Sequence, residues 1–208
     1  EIIEKLRLCS EQESKVQFTM ADRKINAVMS TSAGRLFDAV SAILGIRRQS
    51  SFEGEASTAL QFAAETFEQK QILGSNKKQN ICQTVDKQLV DQKDTLCILD
   101  TETLVQRIVE AKLQGADSDA LAYLFHQMLA EQIVAACIEA RKSSGRNKVA
   151  LSGGVFQNRL LLRLTEEQLL QEGFEVLRHR MIPPNDGGIA IGQAAYGMNW
   201  LQKVEKEI

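Results

Sequence analysis

Proline is scarce. The 208 residues hold two, side by side at Pro183 and Pro184. Helices can therefore run uninterrupted over most of the chain, and the segment around the two prolines is marked as a stiff turn. Histidine is as rare, with His126 and His179, which limits the metal chemistry the chain can carry by itself. The cysteines Cys9, Cys82, Cys97 and Cys137 form no C-x-x-C pair and have no histidine near them in sequence. That scatter argues against a zinc site and a disulfide framework, and it fits buried thiols in the reducing cytoplasm. Charge of one sign is lacking too. The formal net charge of −2 leaves no basic footprint for nucleic acid. No apolar run is long enough to span a bilayer, and the start is not a signal peptide, so no membrane partner is expected. A start at Glu1-Ile2-Ile3 without methionine reads as a fragment or a processed product.

What is there is ordinary in bulk and specific in detail. Hydrophobic residues make up 44% and charged residues 25%, enough to bury a sizeable core in one large domain or two small ones. Leu36, Phe37, Val40, Ile43 and Leu44 form a helical stripe, with Ser32 able to cap its start and Gly45 to end it. Ala56, Leu60, Ala63, Ala64 and Phe67 predict a second helix. Leu104, Ile108 and Val109 predict a third, opened by Asp100 or Thr101. The longest stripe is Leu121, Leu124, Phe125, Met128, Leu129, Ile133 and Ala136, capped by Asp117, with Arg141 and Lys142 in the last turn and Gly145 as the stop. A strand over Lys148–Leu151, a helix with Leu161, Leu164 and Leu169 inward, a stop at Gly173 and a strand over Phe174–Arg178 make a parallel βαβ unit. A small-residue helix follows from about Ile189 to Trp200, and Ser75–Gln79 reads as a loop. The first hundred or so residues read as purely helical and the rest as α/β.

Three motifs carry chemistry. In Leu151-Ser152-Gly153-Gly154 a strand ends in a glycine turn before a helix. Free N–H groups and the positive end of a helix dipole suit a phosphate there, and Asn158, about one turn on, can reach the same ligand with its amide. The plain alternative is a tight turn with glycines for packing. In Asn185-Asp186-Gly187-Gly188 the carboxylate of Asp186 is either a helix N-cap or a group facing metal or phosphate. In the third motif, Ser32 to Asp38, Asp38 projects from the polar side of its helix with Gly34 one turn before. It is either a surface partner of Arg35 or an acceptor for two ribose hydroxyls. Phe52-Glu53-Gly54-Glu55-Ala56 adds a glycine between acids at a helix start. His126, at the edge of the longest stripe, reads as a partly buried, hydrogen-bonded core histidine rather than a ligand, His179 as a strand-end surface residue, and Tyr196 and Trp200 as packing.

Together, "TSAGRLFDAVSAILGI", "FEGEAS", "LSGGVFQNRLL" and "PPNDGGIAIGQA" resemble the carboxy-terminal part of the hydrogenase-maturation carbamoyltransferase (HypF) family, over about Ser30 to Gln202. That part is similar in turn to the tRNA threonylcarbamoyl transferases and the antibiotic O-carbamoyltransferases. The resemblance implies an α/β chain, the helix-rich carboxy-terminal lobe of the actin-like ATPase (ribonuclease H-like) fold. Residues 1–145 would be its mostly helical part and 146–208 its βαβ nucleotide-binding part. It implies an enzyme that uses ATP and carbamoyl phosphate, through carbamoyl adenylate, to carbamoylate the C-terminal cysteine thiol of a maturation partner protein. That group later becomes a cyanide ligand of the [NiFe] centre. Carried over by residue, Gly34, Asp38, Glu53 and Gly54 would hold the ribose and adenosine, and Ser152, Gly153, Gly154 and Asn158 would line the nucleotide. Asp186 would bind a divalent metal, with iron, zinc and magnesium undistinguished. No catalytic residue is singled out.

The departures are specific. Neither histidine belongs to the family's His-x-x-x-His metal pair, and Phe52 and Ser57 stand where tyrosine and alanine are expected. The family's acylphosphatase-like, zinc-finger and adenylate-forming regions are also missing, so the isolated chain is expected to be inactive. A lobe of a tRNA-modifying or O-carbamoyl relative, a sugar-kinase lobe or a non-catalytic nucleotide-binding module remains the alternative class.

Overall fold

The computed structural model describes residues 2–73, 90–93 and 96–207; the Ser75–Gln79 loop expectation lies outside them. The described chain opens with a short helix α1 (Ile2–Lys5) and a polar helix α2 (Glu11–Asp22). Sequence periodicity does not find α2, because it has no apolar stripe and buries nothing. Its start is written instead in a capping box: the Ser10 hydroxyl accepts from the Glu13 N–H at 3.2 Å, and Glu13 accepts from the Ser10 N–H at 2.8 Å.

The predicted helices follow as α3 (Ala33–Ile43), α4 (Glu55–Leu73), α5 (Thr101–Leu113) and α6 (Ser118–Ser144). Asp100 caps α5 through the Thr103 N–H, and Asp117 caps α6 through the Ala120 N–H. Ser32 precedes α3, but its side chain makes no capping bond. Glycines in the left-handed region close two of these helices, Gly45 at φ +73° and Gly145 at φ +68°. α4 packs along α6, α3 rests on α4, and α5 covers another side of α6. The core between them holds Phe37, Val40, Leu60, Leu104, Ile108, Leu121, Phe125 and Met128. α6 is long and apolar enough by length and composition to cross a membrane, although its sequence has no unbroken apolar run. Half of that stretch is buried inside this fold, as the central helix of a core would be.

The first half is not purely helical. Strands β1 (Val90–Lys93) and β2 (Leu96–Leu99) pair antiparallel, with Val90 opposite Leu99. Four-residue strands are too short for periodicity to separate them from helix. The βαβ unit is present: β3 (Lys148–Leu151) runs parallel to β4 (Glu175–Arg178), with Leu151 beside Arg178, and α7 (Arg159–Gln171) crosses between them. Leu161, Leu164 and Leu169 of α7 are buried, and Val134, Leu151, Leu169 and Phe174 form a second small core under the sheet. Helix α8 (Ile189–Glu207) extends past Trp200. Tyr196 and Trp200 are exposed on it, together with Ile189, Ile191 and Met198. The expectation that these two aromatics pack is corrected for a simple reason. α8 contacts little beyond the turn that precedes it.

Candidate functional site

Four segments of the sequence meet around one cleft of about 1200 Å³. The first turns of α3 bring Gly34, Arg35 and Asp38. The loop into α4 brings Phe52, Glu53 and Gly54, followed by Ser57 and Thr58 on the helix. The turn after β3 brings Gly154, Val155, Gln157 and Asn158, and Asn185 and Asp186 close the rim. The cleft thus gathers Gly34, Asp38, Glu53, Gly54, Gly154, Asn158 and Asp186; Ser152 and Gly153 stand beside it without lining it.

Each wall is held by local bonds. Asp38 is 3.8 Å from Arg35 and keeps over a third of its side chain exposed, so the pair is loose. The α4 entry is organised by Glu55, a buried carboxylate that accepts from the Ser51 N–H at 2.5 Å, from the Ser51 hydroxyl at 3.0 Å and from the Arg47 guanidinium. Gly54, at φ +80°, takes a conformation that L side chains resist. Arg163 of α7 grips both oxygens of Glu68 on α4 at 2.7 Å, which ties two helices flanking the cleft together.

The glycine turn differs from the expected strand-to-helix corner. A 3-10 turn over Gly154–Gln157 intervenes, and α7 starts only at Arg159. Asn158 is therefore not one turn inside a helix but the N-cap. Its Oδ1 accepts from the Leu161 N–H at 3.0 Å, and its Nδ2 lies 2.9 Å from Nε2 of His126. The Gly153 N–H is already bonded to the Pro184 carbonyl at 3.0 Å. The Gly154 and Val155 N–H groups have no hydrogen-bond partner among the described residues, and both residues line the cleft. Two adjacent free N–H groups suit an anionic oxygen.

At the rim the cap is Asn185, not Asp186: the Asn185 Oδ1 accepts from the Gly187 N–H at 3.1 Å and opens a short turn over Asp186–Gly188. Gly188 is needed for close approach, since a Cβ there would meet the Pro183 carbonyl oxygen at 2.8 Å. Asp186 is freed from capping, but it is a single carboxylate. Among the described residues no three of His, Cys, Asp and Glu converge to hold a metal. The donors present do not make a metal centre by themselves.

Two contacts lie outside what the sequence shows. His126 is a hydrogen-bonded core histidine as expected, but it is fully buried rather than partly so, and one of its partners is Asn158. Burial pushes its pKa from 6.5 down to about 4, against a smaller upward pull from the Ala122 carbonyl, so the ring is neutral at pH 7. His179 is hydrogen-bonded to Ser152, Nε2 to Oγ, at 2.8 Å. The parallel register that sets Leu151 beside Arg178 brings the next residue of each strand together. Hydrophobic periodicity carries no signal for either contact.

The βαβ unit, the helical layer and the cleft between them define an α/β subdomain. Residues 1–193 match the family described as "Carbamoyltransferase, Kae1-like Domain, second subdomain". The chain belongs to the HypF carbamoyltransferase family. It is 27% identical over 193 residues to the probable carbamoyltransferase HypF of Methanocaldococcus jannaschii, covering 93% of this chain and 23% of that one. It is 34% identical over 180 residues to the carbamoyltransferase HypF of Rhodobacter capsulatus, covering 84% and 20%. Among solved structures it resembles full-length HypF in a phosphate- and nucleotide-bound form, with a TM-score of 0.79 and 30% identity over 96% of this chain and 24% of that one. The chain thus spans between a fifth and a quarter of the length of these relatives.

Proposed function

We propose that the cleft binds the nucleotide part of carbamoyl adenylate, and that the chain is one lobe of a cytoplasmic carbamoyltransferase of hydrogenase maturation. The observation that carries this reading is convergence. Asp38, Gly54 and the glycine turn are separated by up to 116 positions (38 to 154), yet they face one cleft, where two N–H groups have no partner among the described residues. In this reading the Asp38 carboxylate accepts hydrogen bonds from the ribose hydroxyls. The Gly154 and Val155 N–H groups donate to the phosphate. ATP and carbamoyl phosphate supply the carbamoyl adenylate. The C-terminal cysteine sulfur of the partner protein then attacks the carbamoyl carbon. A C–S bond forms, the C–O bond to the adenylate phosphate breaks, AMP leaves with that oxygen, and the thiol proton passes to solvent. The cradle's share is to hold the leaving group while negative charge builds on it. No step of this scheme passes through a metal.

Titration of ATP into the complete polypeptide and its Asp38→Ala variant tests the reading. The expected loss is roughly 1.5–3 kcal/mol, the range for a hydrogen bond to a charged group. The melting temperature should stay unchanged, because Asp38 lies outside the buried core. If Asp38 serves only as the partner of Arg35, affinity will not move.

A further inference from the structure

His126 lies beneath the cleft without reaching it, on α6, and none of its surface is exposed. We propose that His126 is a positioning residue of the nucleotide cleft, acting through its 2.9 Å contact with Asn158 to fix which way the Asn158 amide faces. This rests on the nucleotide reading of the cleft.

The proton accounting leaves one arrangement. Nδ1 of His126 is 2.7 Å from the Ala122 carbonyl oxygen, which can only accept, so Nδ1 carries the proton. Nε2 is then a bare lone pair and needs a donor, which turns the NH2 group of Asn158 toward it. The same orientation puts Oδ1 where it accepts from the Leu161 N–H at 3.0 Å. Two constraints from two elements agree, and a flipped amide would violate both. Capping alone does not call for asparagine, because aspartate caps as well. Aspartate, however, has no proton to give a neutral imidazole. Once both bonds are made, the amide keeps one N–H and one lone pair on a residue that lines the cleft. His126 also touches the opposite wall. The Phe37 ring meets it edge-on at 5.3 Å, one residue before Asp38. One buried ring therefore sits behind both the α7 wall and the α3 wall.

The test is a double-mutant cycle on ATP affinity in the complete polypeptide, with matched thermal melts. His126→Phe keeps a ring and removes the acceptor. Asn158→Ala removes the amide. Each should weaken binding roughly threefold to tenfold, the worth of a neutral hydrogen bond, and the double variant should bind no worse than Asn158→Ala. His126→Gln, which can present an acceptor oxygen to Asn158, should recover most of the affinity. Losses that multiply in the double variant, or wild-type affinity in His126→Phe, would overturn the proposal. If His126→Phe does not fold, His126→Asn decides. Its shorter amide can still donate to the Ala122 carbonyl but stops short of Asn158, so wild-type affinity there overturns the proposal equally. A wild-type protein that binds no ATP defeats the nucleotide reading itself and this inference with it. Multiplying losses in a protein that binds normally defeat the inference alone.

Discussion

Gly153 and Gly154 are neighbours with different reasons to be glycine. Gly153 sits at φ +98° and ψ 157°, a region essentially closed to other residues. Gly154 has no such need: a Cβ there would meet only the Asn185 Cβ, at an ordinary 3.9 Å. The fold tolerates a side chain at Gly154, whereas a nucleotide phosphate lying against its N–H does not. Gly154→Ala is therefore expected to leave the melting temperature nearly unchanged while weakening ATP binding by about 1 kcal/mol or more, the value of one hydrogen bond. Gly153→Ala should do the reverse first, costing about 1–3 kcal/mol of stability from backbone strain. Denaturant titrations paired with ATP titrations separate the two. Equal stability losses at both positions would remove the ligand argument for Gly154.

At the scale of elements, the start of α4 links stability to the site. Glu55 gathers the Ser51 N–H, the Ser51 hydroxyl and the Arg47 guanidinium, and it pins the loop whose Phe52, Glu53 and Gly54 line the cleft. Glu55→Ala strands those donors next to the helix start. The expected cost is about 1–3 kcal/mol of stability, measured by urea unfolding, together with faster amide exchange over Ser50 to Gly54 than in the rest of the core. Unchanged exchange there would mean that the loop is held by its own turn. The long helices were legible because an apolar stripe repeated over several turns leaves few alternatives. The antiparallel β1–β2 pair was not, since four residues do not establish a period, and α2 was missed because a capping box was its only signal.

At the scale of the whole molecule, the parallel sheet has two strands among the described residues, where sheets of this kind are ordinarily covered on both faces. α8 carries exposed Ile189, Ile191, Tyr196, Met198 and Trp200. Among the described residues, the rim carboxylate Asp186 is not joined by enough donors for a metal. The 208 residues by themselves are accordingly expected to fold, with the helical content of α3 to α7 visible by circular dichroism, yet to give no ATP- and carbamoyl-phosphate-dependent carbamoylation. Turnover by this piece alone would show that one lobe suffices.

The sequence by itself determined the helices α3 to α7, the parallel βαβ unit and the candidate residues Gly34, Asp38, Gly54, Gly154 and Asp186. Those depend on short-range periodicity, on capping chemistry and on motifs read within one segment. Only the tertiary structure decided that Asn158 caps α7 rather than riding inside it, that Asn185 and not Asp186 caps the rim turn, and that His126 is buried against Asn158. Hydrogen bonds between side chains 32 residues apart depend on how α6 and α7 pack, and packing is set by the whole core rather than by any local stretch of chain.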